Sequence, residues 1–212
     1  MKREQVLLYA ITDRAWLGGR TLAEAVEQAI LGGVSMIQLR EKEMNTEELI
    51  QSGNEIKSVC NKYGVPLIIN DNVEAAKKIN ADGVHLGQDD MPIKEARAIL
   101  GNNKIIGITA KTVEQAMKAE KDGADYIGSG AVFGTTTKSN AVKMELDTLR
   151  AITQAVNIPV TAIGGITAEN IDGLCNTGIS GVAVVSGIFA QENIKKASET
   201  LFEKIKSIAG GE

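Results

Sequence analysis

Short β-branched and apolar runs alternate with longer stretches of helical period from one end of the chain to the other. The runs occupy 6–12, 34–39, 65–69, 83–86, 104–109, 124–128, 158–163 and 181–185, which predicts eight strands. They are apolar almost throughout, the pattern of strands covered on both faces. Between them apolar residues recur at helical spacing, as at Leu22, Ala25, Val26, Ala29 and Ile30 and again at Ile194, Ala197, Leu201, Ile205 and Ile208. Thr21 with Glu24, and Thr112 with Gln115, have the spacing of capping boxes. Gly33, Gly83, Gly123 and Gly181 stand where a helix must stop and turn into the next strand, a C-cap position that favours glycine. Eight strand-then-helix units with no linker or low-complexity break predict an α/β fold, a (β/α)8 TIM barrel forming a single domain over 1–212. A doubly wound open sheet is the alternative, but no G-x-G-x-x-G follows the first strand to support it.

Composition then removes whole classes of function. A chain of 212 residues buries about 70% of its surface on folding and needs no disulfide or metal staple. Its 23 Lys and Arg against 27 Asp and Glu give a net charge of −4, and the lack of a basic block argues against nucleic acid and against a polybasic membrane anchor. Mean hydropathy is close to zero, no apolar run approaches membrane-spanning length, and the mixed-charge opening Met1-Lys2-Arg3-Glu4 does not resemble a signal peptide. Cys60 and Cys175 fall in helix-like segments without metal spacing, which reads as two packing groups in a reducing cytoplasm. The 22 glycines have no three-residue period, which excludes collagen, and 43% hydrophobic residues exclude disorder.

In such a barrel chemistry gathers where strands run into the following loops, and those positions are polar here while the opposite turns are not. Asp71 and Asp90 follow the neighbouring third and fourth strands. Two carboxylates there suit Mg²⁺ completed by substrate oxygens, although spacing alone equally fits solvated N-cap aspartates. Arg40 and Lys42 follow the second strand. An isolated Arg-Glu-Lys run reads as a solvated face, but cations beside two aspartates suit a metal-bound diphosphate. The Gly164-Gly165 pair ends strand seven and Val185-Ser186-Gly187 ends strand eight, where barrels hold a phosphate on backbone N–H groups. Residues 134–140 have the hydroxyls and the cation of a loop that covers substrate, or of an ordinary surface loop. His85, the only histidine, lies in an apolar strand and reads as a hydrogen-bonded interior residue rather than a base. Two anion sites of different kind point to transfer of a carbon group from a diphosphate ester to a phosphorylated acceptor.

The strings Tyr9-Ala10-Ile11-Thr12-Asp13, Ile37-Gln38-Leu39-Arg40-Glu41-Lys42, Ile69-Asn70-Asp71, Gly83-Val84-His85-Leu86-Gly87-Gln88 with Asp90, Thr135-x-Thr137-Lys138 and Ala162-Ile163-Gly164-Gly165-Ile166 resemble, in order and over nearly the whole chain, the thiamine phosphate synthase family. The resemblance implies an Mg²⁺-dependent transferase that joins hydroxymethylpyrimidine diphosphate to hydroxyethylthiazole phosphate, giving thiamine phosphate and pyrophosphate. It implies that Gln38, Leu39, Arg40, Glu41, Lys42, Asn70, Thr109 and Lys138 hold the pyrimidine diphosphate, with Arg40, Lys42, Lys138 and Thr109 catalytic. Asp71 and Asp90 would bind Mg²⁺, and Thr135, Thr136, Thr137, Gly165, Val185 and Ser186 the thiazole phosphate. It further implies a cytoplasmic enzyme acting on small molecules, with no nucleic-acid or membrane partner, and leaves a homo-oligomer open. Thr109 stands where this family usually has Ser, Lys111 where His is common, and Lys143 and Glu145 where Pro and Gly follow the loop. The related thiazole tautomerase matches less well, since its catalytic His belongs at Lys111. A Schiff-base aldolase is disfavoured because strand six carries no lysine. A non-catalytic thiamine-phosphate-binding barrel is opposed by the intact set of cations and paired aspartates.

Overall fold

The computed structural model describes residues 1–134 and 143–209. Among them are eight parallel strands: β1 (Leu8–Ile11), β2 (Met36–Leu39), β3 (Leu67–Asn70), β4 (Gly83–Leu86), β5 (Ile105–Thr109), β6 (Tyr126–Gly130), β7 (Val160–Ile163) and β8 (Gly181–Val184). Each pairs with the next, and β1 closes on β8 through Leu8 opposite Val182 and Ala10 opposite Val184. The helices are α1 (Leu22–Leu31), α2 (Thr46–Tyr63), α3 (Val73–Ile79), α4 (Ile93–Leu100), α5 (Val113–Asp122), α6 (Leu146–Ala155), the short α7 (Ser186–Phe189) and α8 (Ile194–Ala209). The predicted TIM barrel is therefore the fold. It departs from regularity in the seventh unit, where a 3-10 turn, Ile171–Leu174, stands in place of a helix.

The continuous apolarity of the strands has the expected cause. Alternate residues such as Leu8, Ala10, Ile37, Leu39, Ile69 and Val182 pack outward against the helices. The intervening Tyr9, Ile11, Met36, Ile68, Tyr126 and Ala183 fill the barrel, so both faces are buried. In α1 the capping box forms as predicted: Thr21 accepts from Glu24 N at 3.1 Å and Glu24 accepts from Thr21 N at 2.8 Å. In α5 Thr112 caps Gln115 N, but the Gln115 side chain reaches one residue further back to Lys111 N.

The turns at the end of the barrel away from the polar loops are braced by a repeated device. Asp82 accepts from Lys57 Nζ at 2.6 Å and from Leu67 N at 2.8 Å. Two units later, Asp125 accepts from Arg97 Nη2 at 2.7 Å and from Ile106 N at 2.8 Å. Two glycines assigned to turns at this end act otherwise. Gly83 and Gly181 are the first residues of β4 and β8, where a Cβ would overlap the carbonyl oxygens of Ile105 and Val6, so close backbone approach selects them. The cysteines divide. Cys60 is buried in α2 and burial pushes its thiol up to about 12, whereas Cys175 is exposed after the 3-10 turn and is no packing group. No helix among the described residues is long and apolar enough to cross a membrane.

Candidate active site

A cavity of about 320 Å³ opens at the C-terminal ends of the strands. The predicted Gln38, Arg40, Asn70, Asp71, Asp90, Thr109, Gly165, Val185 and Ser186 all line it. Thr135, Thr136, Thr137 and Lys138 lie outside the described residues.

Three members of the 38–42 string are placed differently. Strand alternation turns Leu39 outward into the packing between barrel and helices, with no exposure, so its side chain does not reach the cavity. Glu41 forms an ion pair at 3.0 Å with Arg14, which itself bonds Ser52 Oγ. Its carboxyl is raised above the ordinary range, by burial first and with Arg14 opposing, and its buried Oε1 has no hydrogen-bond partner among the described residues. Lys42 is exposed outside the cavity lining. Arg40 is held at the rim by its own backbone, whose N–H donates to the Oγ1 of the fully buried Thr12 at 3.0 Å.

Asp71 has a left-handed backbone, φ 60°, unusual for a residue other than glycine and a mark of a built position. Its N–H donates to His85 O at 2.8 Å and its Oδ2 accepts from Asn70 Nδ2 at 2.6 Å. Asp90 Oδ2 accepts from Gly87 N at 2.6 Å. These are hard oxygen donors of the kind Mg²⁺ takes. Among the described residues no cluster of three or more His, Cys, Asp or Glu side chains surrounds a metal position, so a cation here would need ligand oxygens to complete its shell.

Opposite, across the barrel, Gly164 and Gly165 follow β7 with φ 108° and 65°. Asn170 Nδ2 holds the Gly165 carbonyl at 2.8 Å, and a Cβ on Gly165 would come 2.5 Å from Gly134 O and 2.9 Å from Phe133 O. The wall thus packs backbone on backbone with no side chain between. Val185 and Ser186 lead into α7 on the adjacent strand end.

The floor holds residues that sequence reasoning did not assign. Tyr9, His85, Gly128, Thr161 and Ile163 line it, Lys111 stands at its edge, and the Tyr126 hydroxyl lies behind His85 at 2.9 Å. His85 is the hydrogen-bonded interior residue predicted, between Tyr126 and Thr109. The available signal was period two: Tyr9 precedes Ile11, and Gly107 and Gly128 are glycines inside strands, where a neighbour's bulk must enter. Of the departures from pattern, Lys111 lines the cavity, whereas Lys143 and Glu145 are exposed, Glu145 at the start of α6.

One open cavity thus collects a cation and two carboxylates from β2 to β4 and glycine-rich backbone from β7 and β8, over a polar floor. Residues 8–188 match the thiamine monophosphate synthase family. The chain is 48% identical over 194 residues to the thiamine-phosphate synthase of Clostridium tetani, covering 92% of this chain and 93% of that one. It is 50% identical over 196 residues to the thiamine-phosphate synthase of Ruminiclostridium cellulolyticum, with coverage of 92% and 93%. The solved thiamine phosphate pyrophosphorylase of Pyrococcus furiosus superposes with a TM-score of 0.89 at 38% identity, covering 97% of this chain and 98% of that one. The match extends through every strand and both walls of the cavity, and the chain belongs to the thiamine monophosphate synthase family.

Proposed function

We propose that the protein joins hydroxymethylpyrimidine diphosphate to hydroxyethylthiazole phosphate, yielding thiamine phosphate and pyrophosphate. The observation that carries this reading is that one cavity is lined by two unlike walls, Arg40 with Asp71 and Asp90 on one side and Gly165, Val185 and Ser186 on the other, which on this reading take the two anions. In the reaction the bond between the pyrimidine methylene carbon and the diphosphate oxygen breaks, and its electron pair leaves with the diphosphate. The thiazole nitrogen then gives its lone pair to the methylene carbon, forming the new C–N bond. The thiazole nitrogen carries no proton to lose, so no base is required, and the diphosphate takes up any proton it needs after it has left.

The residues therefore act by position and charge. Arg40 offers two parallel N–H groups to oxygens whose charge grows as the diphosphate departs. Lys42, exposed outside the cavity lining, and Lys138 add cations on this reading, and Asn70 steadies Asp71. Asp71 and Asp90 are the residues that would hold Mg²⁺, which when bound supplies neutralisation of the leaving group. On this reading Gln38 and Thr109 meet the pyrimidine, and Thr135, Thr136 and Thr137 offer hydroxyls to the thiazole phosphate. Holding both reactants in one cavity turns an encounter in solution into a local step. A cytoplasmic setting, with small molecules as the only required partners, belongs to the same reading.

The test is incubation with both precursors and Mg²⁺, followed by quantification of thiamine phosphate and pyrophosphate. Equal amounts of the two are expected, and no product with Mg²⁺ present sinks the proposal. Asp71→Ala should abolish metal-dependent turnover while calorimetric binding of thiazole phosphate persists. Equal loss of both would contradict two separate walls.

A further inference from the structure

The cavity floor is crossed by a continuous chain of side-chain hydrogen bonds. Gln38 Nε2 donates to the Tyr9 hydroxyl. That hydroxyl lies 2.8 Å from the Tyr126 hydroxyl, which lies 2.9 Å from His85 Nδ1, and His85 Nε2 lies 3.0 Å from Thr109 Oγ1. Space for the chain is built in: a Cβ on Gly107 would overlap the Tyr126 ring, and one on Gly128 would stand 3.1 Å from His85 Cε1. Tyr9 and Tyr126 meet edge to face, with ring centroids 5.7 Å apart. Burial drives both phenols above their ordinary range, so each is neutral, with one proton to donate.

A chain of single-proton groups has a direction. The Gln38 amide nitrogen can only donate. Tyr9 therefore accepts at that end and donates its own hydrogen bond to Tyr126, and Tyr126 donates to His85 Nδ1. An imidazole that accepts at Nδ1 carries its one N–H on Nε2, which points at Thr109 Oγ1. The Thr109 proton is left to turn toward the cavity. Run the other way, Tyr9 would receive from both neighbours and its own proton would have no acceptor in the chain. The ends are consequently coupled: Gln38, with one amide N–H fixed on Tyr9, has its carbonyl oxygen left as the acceptor, and Thr109 presents an O–H.

We propose that Tyr9, Tyr126 and His85 are positioning residues that hold Gln38 as an acceptor and Thr109 as a donor, so that the floor selects a ligand edge carrying an amino group and a ring acceptor nitrogen and rejects its oxo counterpart. The choice of an aminopyrimidine rests on the function proposed above; the direction of the chain does not. In the oxo analogue the amino donor becomes a carbonyl and the ring acceptor an N–H, so both ends of the floor face a group of their own kind. Sites built around such hydrogen bonds reject the mismatched analogue steeply, by about a hundredfold or more.

Because His85 is the only histidine, its tautomer can be read without assignment from nitrogen NMR of the folded, substrate-free protein. The expected result is a neutral ring protonated at Nε2, and in Tyr126→Phe, which keeps the ring beside Gly107, a loss of that bias. Tyr126→Phe should also raise KM for the pyrimidine diphosphate about tenfold, corresponding to one hydrogen bond, with KM for thiazole phosphate little changed, while the loss of the Tyr126 hydroxyl as partner to the Tyr9 hydroxyl and His85 Nδ1 lowers the melting temperature by a few degrees. In a Thr109→Val background the same change should add less than about threefold, since its route to the ligand is already cut. A ring protonated at Nδ1 in the native protein, or a tenfold penalty that persists in the Thr109→Val background, overturns the proposal. If no thiamine phosphate forms at all, the tautomer still decides the direction of the chain, and only the reading of the ligand falls.

Discussion

Gly165 and Gly64 together separate two reasons for a glycine, and the structure fixes what each substitution should cost. Gly64 ends α2 with φ 68° and has nothing within 4 Å of where a Cβ would stand. Gly165 has nearly the same backbone, φ 65°, but its Cβ would meet Gly134 O at 2.5 Å and Phe133 O at 2.9 Å. The left-handed conformation alone costs a side chain about 1–2 kcal/mol, which is the whole expectation for Gly64→Ala. Gly165→Ala carries that strain plus the displacement of packed backbone, about 1–3 kcal/mol more by analogy with overpacked cores, for a total of about 2–5 kcal/mol. Urea unfolding of the two variants against the wild type, with slopes confirmed unchanged, measures the difference. The loss should be larger at Gly165 and should appear without any ligand. From sequence alone the same glycine predicts the opposite balance, with phosphate binding weakened more than stability, because a side chain there would stand between backbone and anion. Equal losses in the two variants, with thiazole phosphate binding lost only at Gly165, would restore that balance and refute the packing argument.

Two other perturbations test the scaffold and the rim. Asp125→Ala leaves the Ile106 N–H without its acceptor and Arg97, which keeps the carbonyls of Lys104 and Gly123, without its carboxylate partner, and should cost about 1–3 kcal/mol in thermal unfolding; a loss no greater than that of Asp147→Ala, an exposed partner of Arg150, would show that the brace carries no weight. Glu41, its carboxyl raised above the ordinary range by burial, binds its proton more tightly when folded than unfolded, so its ionisation subtracts stability as pH climbs from the ordinary carboxylate range through the raised folded value and leaves a constant penalty beyond it. Glu41→Gln should therefore flatten the dependence of unfolding free energy on pH across that interval, and an unchanged slope would place the raised carboxyl elsewhere.

The barrel was legible because its code is local. Apolar strands covered on both faces and helices of period 3.6 can be read within windows of ten residues, and the mouth can be read because Arg40, Asp71 and Asp90 follow those strands directly. The string 38–42, taken as one binding unit, shows where that legibility ends. Period two sends Gln38 inward and Leu39 outward, which sequence already implies; that Glu41 would turn to Arg14 depends on a loop folding back over 27 residues, which it does not. The floor is the strongest instance. Tyr9 and Tyr126 lie 117 positions apart and meet only because the barrel closes β1 onto β8 and sets Tyr126 opposite Gly107. Periodicity states which face a residue takes but not which residue it faces, since the second depends on register around the ring. A glycine inside a buried strand reduces that ambiguity. Gly107 and Gly128 lose side-chain packing for no gain in turn geometry, and in a closed barrel the volume they leave must be filled by a side chain from a nearby strand. In this chain the fillers are Tyr126 and His85, the two groups that join the Gln38 side of the cavity to the Thr109 side.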